Sequence, residues 1–200
     1  MTQNRFTQQY DITQNDRCRL NRHASFVIWF TGLPSSGKST LANELDKKLY
    51  AQGIRSYVLD GDNVRNGLNV DLGFSAEDRK ENLRRIGAVS RLFMDAGTIC
   101  IAAFIAPSEQ DRSRLKETIG RENFIEIYLN TPIEVCEARD IKGLYKKARK
   151  GLINNFTGVN DPYEPPANPD LMIDTSKESI RDSVEKIYSF ISPKLLLTPQ

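Results

Sequence analysis

The sequence contains little that could bind a metal ion or cross a membrane. Its 200 residues include three cysteines, one histidine and one tryptophan. Cys18, Cys100 and Cys136 are widely spaced and form no C-x-x-C pair, so we expect reduced thiols and neither a zinc site nor a disulfide framework. No stretch approaches the ~18 apolar residues of a membrane helix, and the polar first twenty residues lack a secretory signal. We therefore expect a cytoplasmic protein with no membrane partner.

Charge of one sign is not in excess either. The 28 Lys and Arg against 26 Asp and Glu give a net charge of +2. This balance disfavours a polybasic nucleic-acid-binding protein and an acidic tail, so any basic surface must be local. The length suits one domain with one core.

The apolar segments indicate alternating strands and helices. Short runs rich in β-branched residues predict buried parallel strands, and segments with an apolar residue at every third or fourth position predict helices. The predicted strands are 26–31, 55–60, 98–105, 124–129 and 171–174, with helical segments between and after them. This alternation predicts an α/β fold, a doubly wound parallel sheet with helices on both faces.

Two segments interrupt that pattern. Residues 1–25 are rich in Gln, Asn, Thr and Arg, which predicts a loosely packed N-terminal arm before a domain at 26–195. Residues 142–169 carry basic residues followed by Gly, Asn and Pro, which predicts a mobile lid. A basic lid would exclude water and supply cations; a solvated basic helix is the alternative.

The strongest local motif is a phosphate loop, GLPSSGKST at 32–40, between a predicted strand and a predicted helix. Backbone N–H groups of such a turn bind anions, Lys38 would reach the β- and γ-phosphates, and Ser39 would be a Mg²⁺ ligand. The alternative is a chance match in a Gly/Ser turn. The guanine-reading N-K-x-D motif of GTPases is missing, so guanine specificity is disfavoured and the length favours a small-molecule kinase.

The second predicted strand ends in acidic residues. The sequence LDGDNVR at 59–65 follows a buried run, and ligands bind at the carboxyl edge of doubly wound sheets. We therefore expect Asp62 either to orient and deprotonate an attacking hydroxyl or to hold Mg²⁺ through water. An Asx turn or a helix N-cap at Asp62 or Asn63 is the simpler alternative, and the two roles are compatible.

Arginines follow this acidic edge at high density. Arg65, Arg79 and either Arg84 or Arg85 suit an anionic acceptor, because guanidinium groups bind phosphate or sulfate in a bidentate manner. A solvated helix face is the alternative for each one. Phe74 lies in a Gly-Phe-Ser loop, a position that suits an aromatic platform for a planar base.

Blocks along almost the whole chain together resemble one family. They are IWFTGLPSSGKST at 28–40, LDGDNVRNGL at 59–68, LGFSAEDRKENLRRIG at 72–87, FIAP at 104–107, VCEARDIKGLYKKAR at 135–149 and FTGVNDPYE at 156–164. In order and content they resemble the adenylyl-sulfate kinases. The resemblance implies an ATP-dependent phosphotransferase of the P-loop kinase fold, acting with Mg²⁺ on the ribose 3′-hydroxyl of adenosine 5′-phosphosulfate. The product would be 3′-phosphoadenosine 5′-phosphosulfate, the end of sulfate activation.

The resemblance also implies roles for individual residues. Lys38 and Asp62 would be the catalytic residues, and Ser39 would bind the metal ion. The residues implied for ATP are Gly32, Ser35, Ser36, Gly37, Lys38, Ser39 and Thr40. Those implied for the acceptor are Asp62, Asn63, Arg65, Phe74, Arg79, Asn82, Ile105, Ala106, Lys142, Asn155 and Phe156, with Phe74 and Phe156 on either side of the adenine. A homodimer is implied, and an ATP sulfurylase would be a separate upstream enzyme.

The chain departs from the family pattern at two places. Ala106 stands where many members have a serine that has been described as a phosphoserine intermediate, so direct in-line transfer is the simpler expectation. Pro34-Ser35 replaces the more usual Ser-Gly, which stiffens the phosphate loop. Two other hypotheses stay open at this point: a kinase for another nucleotide or a small polyol, and a nucleotide-binding regulatory subunit with little turnover.

Overall fold

The computed structural model describes residues 8–197. The strands are β1 (Val27–Thr31), β2 (Ser56–Asp60), β3 (Ile99–Ala103), β4 (Phe124–Leu129) and β5 (Leu171–Ile173). The helices are α1 (Gln14–Asn21), α2 (Lys38–Ala51), α3 (Gly61–Arg65), α4 (Ala76–Asp95), α5 (Glu109–Ile119), α6 (Ile133–Ala138), α7 (Leu144–Arg149) and α8 (Ile180–Leu195). No helix in this range is both long and apolar enough to cross a bilayer.

The five strands form one parallel sheet in the order β2-β3-β1-β4-β5. Alternate residues of the central strand face opposite sides. Ile28 and Phe30 pack against α2 and α8, whereas Val27 and Trp29 pack with the cluster that includes α4 and α5. Both faces are therefore covered, and the predicted doubly wound α/β fold is confirmed.

Residues 14–25 are more ordered than a loosely packed arm. Thr13 caps α1 in a capping box with Asp16, and Cys18 is buried. The Asn21 side chain donates to the Gly97 carbonyl at 2.8 Å, and the Ser25 hydroxyl donates to the Met94 carbonyl at 2.7 Å. The expectation of loose packing is wrong here, because capping and contacts with the end of α4 replace the missing apolar face. Residues 1–7 of the expected arm lie outside the described range.

The segment 142–169 contains a folded element, α7, and supplies three of the four buried residues of a third hydrophobic core, separate from the two on the faces of the sheet. We call this the third core; its buried members are Cys136, Tyr145, Ala148 and Phe156. Leu33 of the phosphate loop packs against it. The basic stretch, for which a solvated helix was the alternative, forms a helix with one face buried in this core, and the mobility expected of a lid remains a prediction.

Candidate active site

One cavity of about 720 Å³ opens where the strands end. It is lined by the loop after β1, by the start of α3 after β2, and by residues 103–107, which begin with the last residue of β3. It brings together fourteen of the predicted site residues: Ser35, Gly37, Lys38, Ser39, Thr40, Asp62, Arg65, Phe74, Arg79, Asn82, Ile105, Ala106, Lys142 and Phe156. Four predicted residues are not among those lining it: Gly32, Ser36, Asn63 and Asn155.

The phosphate loop is a tight turn that needs positive φ angles. Gly32 has φ of 146°, and a Cβ there would lie 2.9 Å from the Leu129 carbonyl oxygen, so only glycine fits. Gly37 has φ of 103°. Ser35, which is not a glycine, adopts φ of 59°. A serine in this left-handed region carries backbone strain of about 1–2 kcal/mol.

Gly32 and Ser36 support the loop from beneath. Ser36 is fully buried, and its carbonyl oxygen accepts a hydrogen bond from the Thr175 hydroxyl at 2.9 Å and a longer one from Thr131 at 3.3 Å. These bonds tie the loop to the chain after β4 and after β5. The two residues therefore shape the phosphate site without lining the cavity.

Lys38 lies across the inside of the loop with only 9% of its surface exposed. Its ammonium group donates to the carbonyl oxygens of Gly32 at 2.9 Å and Leu33 at 2.7 Å. Burial lowers the pKa of Lys38 from 10.5 to about 8. The chain thus holds a desolvated cation at the site where phosphates are expected to bind.

A carboxylate that the sequence reasoning did not single out lies beside the phosphate loop. The Ser39 hydroxyl donates to the Asp60 carboxylate at 2.5 Å, and the other Asp60 oxygen accepts from the Asp62 backbone N–H at 3.0 Å. Asp60 is therefore the N-cap of α3. Its position as the last residue of a predicted strand, next to the acidic edge, was the available signal.

Asp62 also lines the cavity. Its carboxylate forms an ion pair with Lys142, in the turn that precedes α7. In that turn the Asp140 carboxylate accepts from the Leu144 backbone N–H at 2.8 Å and holds the start of α7. Asn63 is exposed. Gly61 and Arg65, at the two ends of this short helix, line the cavity, and Asn63 lies midway between them on the opposite side of the helix. The structure therefore does not bring Asn63 into the site.

Two aromatic rings, Phe74 and Phe156, line the cavity. Phe74 is 63% exposed, with the Arg65 guanidinium 4.3 Å from its ring centroid. Phe156 is 9% exposed and packs edge-on against Tyr145, with 4.9 Å between centroids. Phe74 is thus mostly exposed and stacks against Arg65, whereas Phe156 is packed within the third core.

The arginines of α4 divide between the cavity and the outer surface. Arg79 lines the cavity; it donates to the Thr157 hydroxyl at 2.9 Å and to the Asn155 carbonyl. Asn155 itself is exposed and contributes its backbone only to this contact. Arg84 and Arg85 instead pair with carboxylates away from the cavity. The density of arginine in the sequence therefore overstates the number of site cations.

Arg65 and Arg79 create a locally positive wall. Burial and the neighbouring Arg79 guanidinium lower the pKa of Arg65. Arg65 also donates to the Gly73 carbonyl at 2.8 Å, and Arg79 lies 3.5 Å from the Asp161 carboxylate. Two like charges held by the chain's own carbonyls and one carboxylate form a site for an anion.

Residues 105–106 form a pinned turn at the cavity floor. Ala106 has φ of 44° and is buried. The Ile105 carbonyl accepts from the Thr31 hydroxyl at 2.5 Å, and the Ala106 carbonyl accepts from the fully buried Arg112 at 2.8 Å. Arg112 is balanced by Glu126, at 3.2 Å. The methyl group of Ala106 offers no nucleophile.

Sequence reasoning also missed the end of the cavity beyond the phosphate loop. Arg139 donates to the hydroxyl and to the carbonyl of Thr175 at 2.8 Å and 2.7 Å. Glu178 and Ile180 line the same end. Thr175 and Glu178 lie in the irregular loop between β5 and α8, and Arg139 follows α6 directly, so no periodicity marks a function at these positions.

Comparison with known proteins gives one family. The family model described as adenylylsulphate kinase matches residues 24–174. A probable adenylyl-sulfate kinase of Halalkalibacterium halodurans is 56% identical over 180 residues, which cover 90% of this chain and 89% of that protein.

Solved structures agree. The Mycobacterium tuberculosis APS kinase in complex with AMPPNP and APS superposes with a TM-score of 0.82 at 43% identity, over 84% of this chain and 98% of that one. The hexameric APS kinase from Thiobacillus denitrificans gives a TM-score of 0.67 at 32% identity, over 88% of this chain and 31% of that one.

Proposed function

The chain belongs to the adenylylsulphate kinase family, the ATP-dependent kinases of adenosine 5′-phosphosulfate, and on this premise we propose how its own residues divide the reaction. It is an enzyme that makes 3′-phosphoadenosine 5′-phosphosulfate. The observation that carries the assignment of residues is that Lys38 and Asp62 line a single cavity. One end of that cavity suits a triphosphate and the other suits an anion attached to a planar base.

The ATP half of the cavity is the phosphate loop together with the end near Arg139. Lys38 neutralises the β- and γ-phosphates, since its buried ammonium already lies inside the loop. Backbone N–H groups at the start of α2 complete the anion site. Arg139 and Thr175 bind the remainder of the nucleotide.

Magnesium fits the oxygen donors beside the loop. Within residues 8–197 no cluster of three or more His, Cys, Asp or Glu side chains could hold a metal ion, which suits an ion held mainly by phosphate oxygens and water. Ser39 would be a direct ligand, and Asp60, 2.5 Å from its hydroxyl, would act through water. When bound, Mg²⁺ neutralises charge on the phosphates.

The acceptor half is the aromatic and basic wall. Phe74 and Phe156 hold the adenine of adenosine 5′-phosphosulfate between them. Arg65 and Arg79 bind its phosphosulfate, which replaces the carbonyl and carboxylate partners that they have in the structure. Asn82, buried at 6% exposure and bonded to Asn69 at 2.9 Å, lines the same wall.

Asp62 orients the 3′-hydroxyl and takes its proton. The hydroxyl oxygen forms a new bond to the γ-phosphorus, the bond from that phosphorus to the β,γ-bridging oxygen breaks, and ADP leaves with the bond electrons. Before this step Lys142 must leave Asp62, with which it forms an ion pair in the structure. Released Lys142 then neutralises charge on the transferred phosphoryl group.

Transfer is direct, with no phosphoenzyme. Ala106 stands at the family's serine position, and its methyl group cannot carry phosphate. The turn that holds it, pinned through Thr31 and Arg112, shapes the cavity floor. A single in-line displacement then inverts the configuration at phosphorus.

Three properties of the whole protein extend the proposal. A homodimer is supported by the exposed Leu20 of α1 and Leu92 of α4, two neighbouring helices. A cytoplasmic location is supported by three free, buried cysteines. A separate ATP sulfurylase supplies the acceptor.

Light scattering after gel filtration tests the proposed homodimer. A monomer at micromolar concentration would contradict it.

The function is tested by measuring ADP release from ATP and Mg²⁺. The arms are no acceptor, adenosine 5′-phosphosulfate, AMP and a panel of small polyols, with Lys38→Ala as the blank. We expect release only with adenosine 5′-phosphosulfate, and none with Lys38→Ala. Release driven by AMP or a polyol would identify a different acceptor, and tight ATP binding without release in any arm would indicate a regulatory subunit.

A further inference from the structure

Tyr145 of α7 contacts both halves of the cavity without lining it. Its side chain is 1% exposed. The hydroxyl donates to the Pro34 carbonyl of the phosphate loop at 3.0 Å, and the ring packs edge-on against Phe156. One rigid side chain therefore spans from the ATP half to the acceptor half.

The contact with the phosphate loop is a directed hydrogen bond in a close-packed surrounding. Burial raises the pKa of Tyr145, so its hydroxyl remains protonated and acts as the donor. Leu33, next to Pro34, packs into the third core, and a Cβ on Gly158 would lie 2.8 Å from Leu33 Cδ2. A displacement of the loop must therefore move Tyr145 or strain this packing.

The contact with Phe156 is equally constrained. The two rings meet at an interplanar angle of 78° with centroids 4.9 Å apart, a favourable edge-to-face arrangement. Phe156 has 9% of its surface exposed, and it lines the cavity. The position of this cavity wall thus depends on where the Tyr145 ring lies.

We propose that Tyr145 is a positioning residue that couples the phosphate loop to the acceptor wall, so that occupancy of the loop by ATP strengthens acceptor binding. This inference rests on the proposed function, because it assigns Phe156 to the acceptor. By thermodynamic reciprocity the acceptor must strengthen nucleotide binding by the same factor.

The test compares the dissociation constant of adenosine 5′-phosphosulfate with and without saturating AMPPNP and Mg²⁺, and the reciprocal pair for AMPPNP. Tyr145→Phe keeps the ring and removes the hydroxyl. Tyr128→Phe is the matched control, since its hydroxyl donates to Asn130 at 3.1 Å and Tyr128 does not line the cavity. Phe156→Leu is the second variant. The coupling factor is the ratio of the acceptor dissociation constants without and with AMPPNP. A loss of acceptor affinity that affects both constants equally cancels in this ratio.

We expect the coupling factor of the parent protein to fall about fivefold in Tyr145→Phe, the factor that one net hydrogen bond provides. Phe156→Leu should also lower it, and Tyr128→Phe should leave it unchanged. Binding of AMPPNP alone to Tyr145→Phe should stay within a factor of two. Equal coupling in Tyr145→Phe and parent, or no coupling in the parent, would overturn the inference alone. Absence of acceptor binding to the parent would overturn the proposed function as well.

Discussion

The buried charge of Lys38 makes nucleotide binding depend on pH in a defined direction. In the folded chain the pKa of Lys38 is about 8, against 10.5 in the unfolded chain, because burial disfavours the ammonium form. Bound phosphates require the ammonium form and raise its pKa again. Raising the pH through 8 therefore removes the form that binds ATP.

The magnitude follows from titration of one group. At pH 7 about nine-tenths of Lys38 is charged, whereas at pH 9 only about one-tenth is charged, so affinity for the nucleotide falls about tenfold between the two. A phosphate monoester has its second pKa near 6, so ionisation of the ligand does not produce this loss. Binding at pH 9 should take up about one proton.

The same shift has a cost in stability. Because the folded pKa is below the unfolded one, the unfolded state binds more protons between pH 8 and 10.5. The contribution of Lys38 to the free energy of unfolding therefore rises with pH across that window. Below pH 8, burial of the charged ammonium lowers the free energy of unfolding by about 3 kcal/mol. The nucleotide site is thus held at the expense of stability.

Isothermal titration calorimetry with AMPPNP and Mg²⁺ from pH 7 to pH 9.5, in buffers of different ionisation enthalpy, measures both affinity and proton uptake. Lys38→Arg is the control, because guanidinium stays charged throughout, and its affinity should not change with pH. A change of less than twofold between pH 7 and pH 9 in the parent protein, or no proton uptake at pH 9, would refute this explanation.

Three further changes have defined outcomes. Asp62→Asn should lower kcat by about 10²–10⁴ through loss of the general base while the AMPPNP dissociation constant is unchanged; full turnover would remove Asp62 from the mechanism. Asp60→Asn should raise the Mg²⁺ concentration for half-maximal activity roughly tenfold. An unchanged Mg²⁺ titration would show that Asp60 has no role in metal binding. Gly97→Ala should lower the free energy of unfolding in urea by about 2 kcal/mol, because φ there is 76° and the new Cβ would lie 2.8 Å from Arg17 Cβ; an unchanged midpoint would contradict this.

The elements that could be predicted are those whose residues meet the core. The strand 124–129 was predicted to the residue, because five of its six side chains are buried. Helix α1 was missed since only Cys18 of its residues is buried, and its order depends on a capping box and on contacts near Gly97, distant in sequence. The sequence of helix α7 is a basic stretch, yet Tyr145 and Ala148 are buried in the third core. No local sequence pattern predicts that core.

At the site, spacing predicted which residues can share a face but not which face meets the cavity. Arg79 lines the cavity, whereas Arg84, five residues on, lies roughly 140° around the helix axis at 3.6 residues per turn and pairs with Glu81. The P-loop could be identified because its glycines are dictated by backbone geometry. Asp60, Arg139 and Tyr145 act through partners far along the chain, and only the folded structure brings those together.

Direct transfer of phosphate within one cavity is tested by the stereochemistry at phosphorus. ATP made chiral at its γ-phosphorus with oxygen isotopes would be turned over with adenosine 5′-phosphosulfate, and the configuration of the 3′-phosphate in the product would be determined. One in-line displacement guided by Asp62, with Ala106 unable to carry phosphate, predicts inversion. Retention would require a phosphoenzyme and would contradict the account.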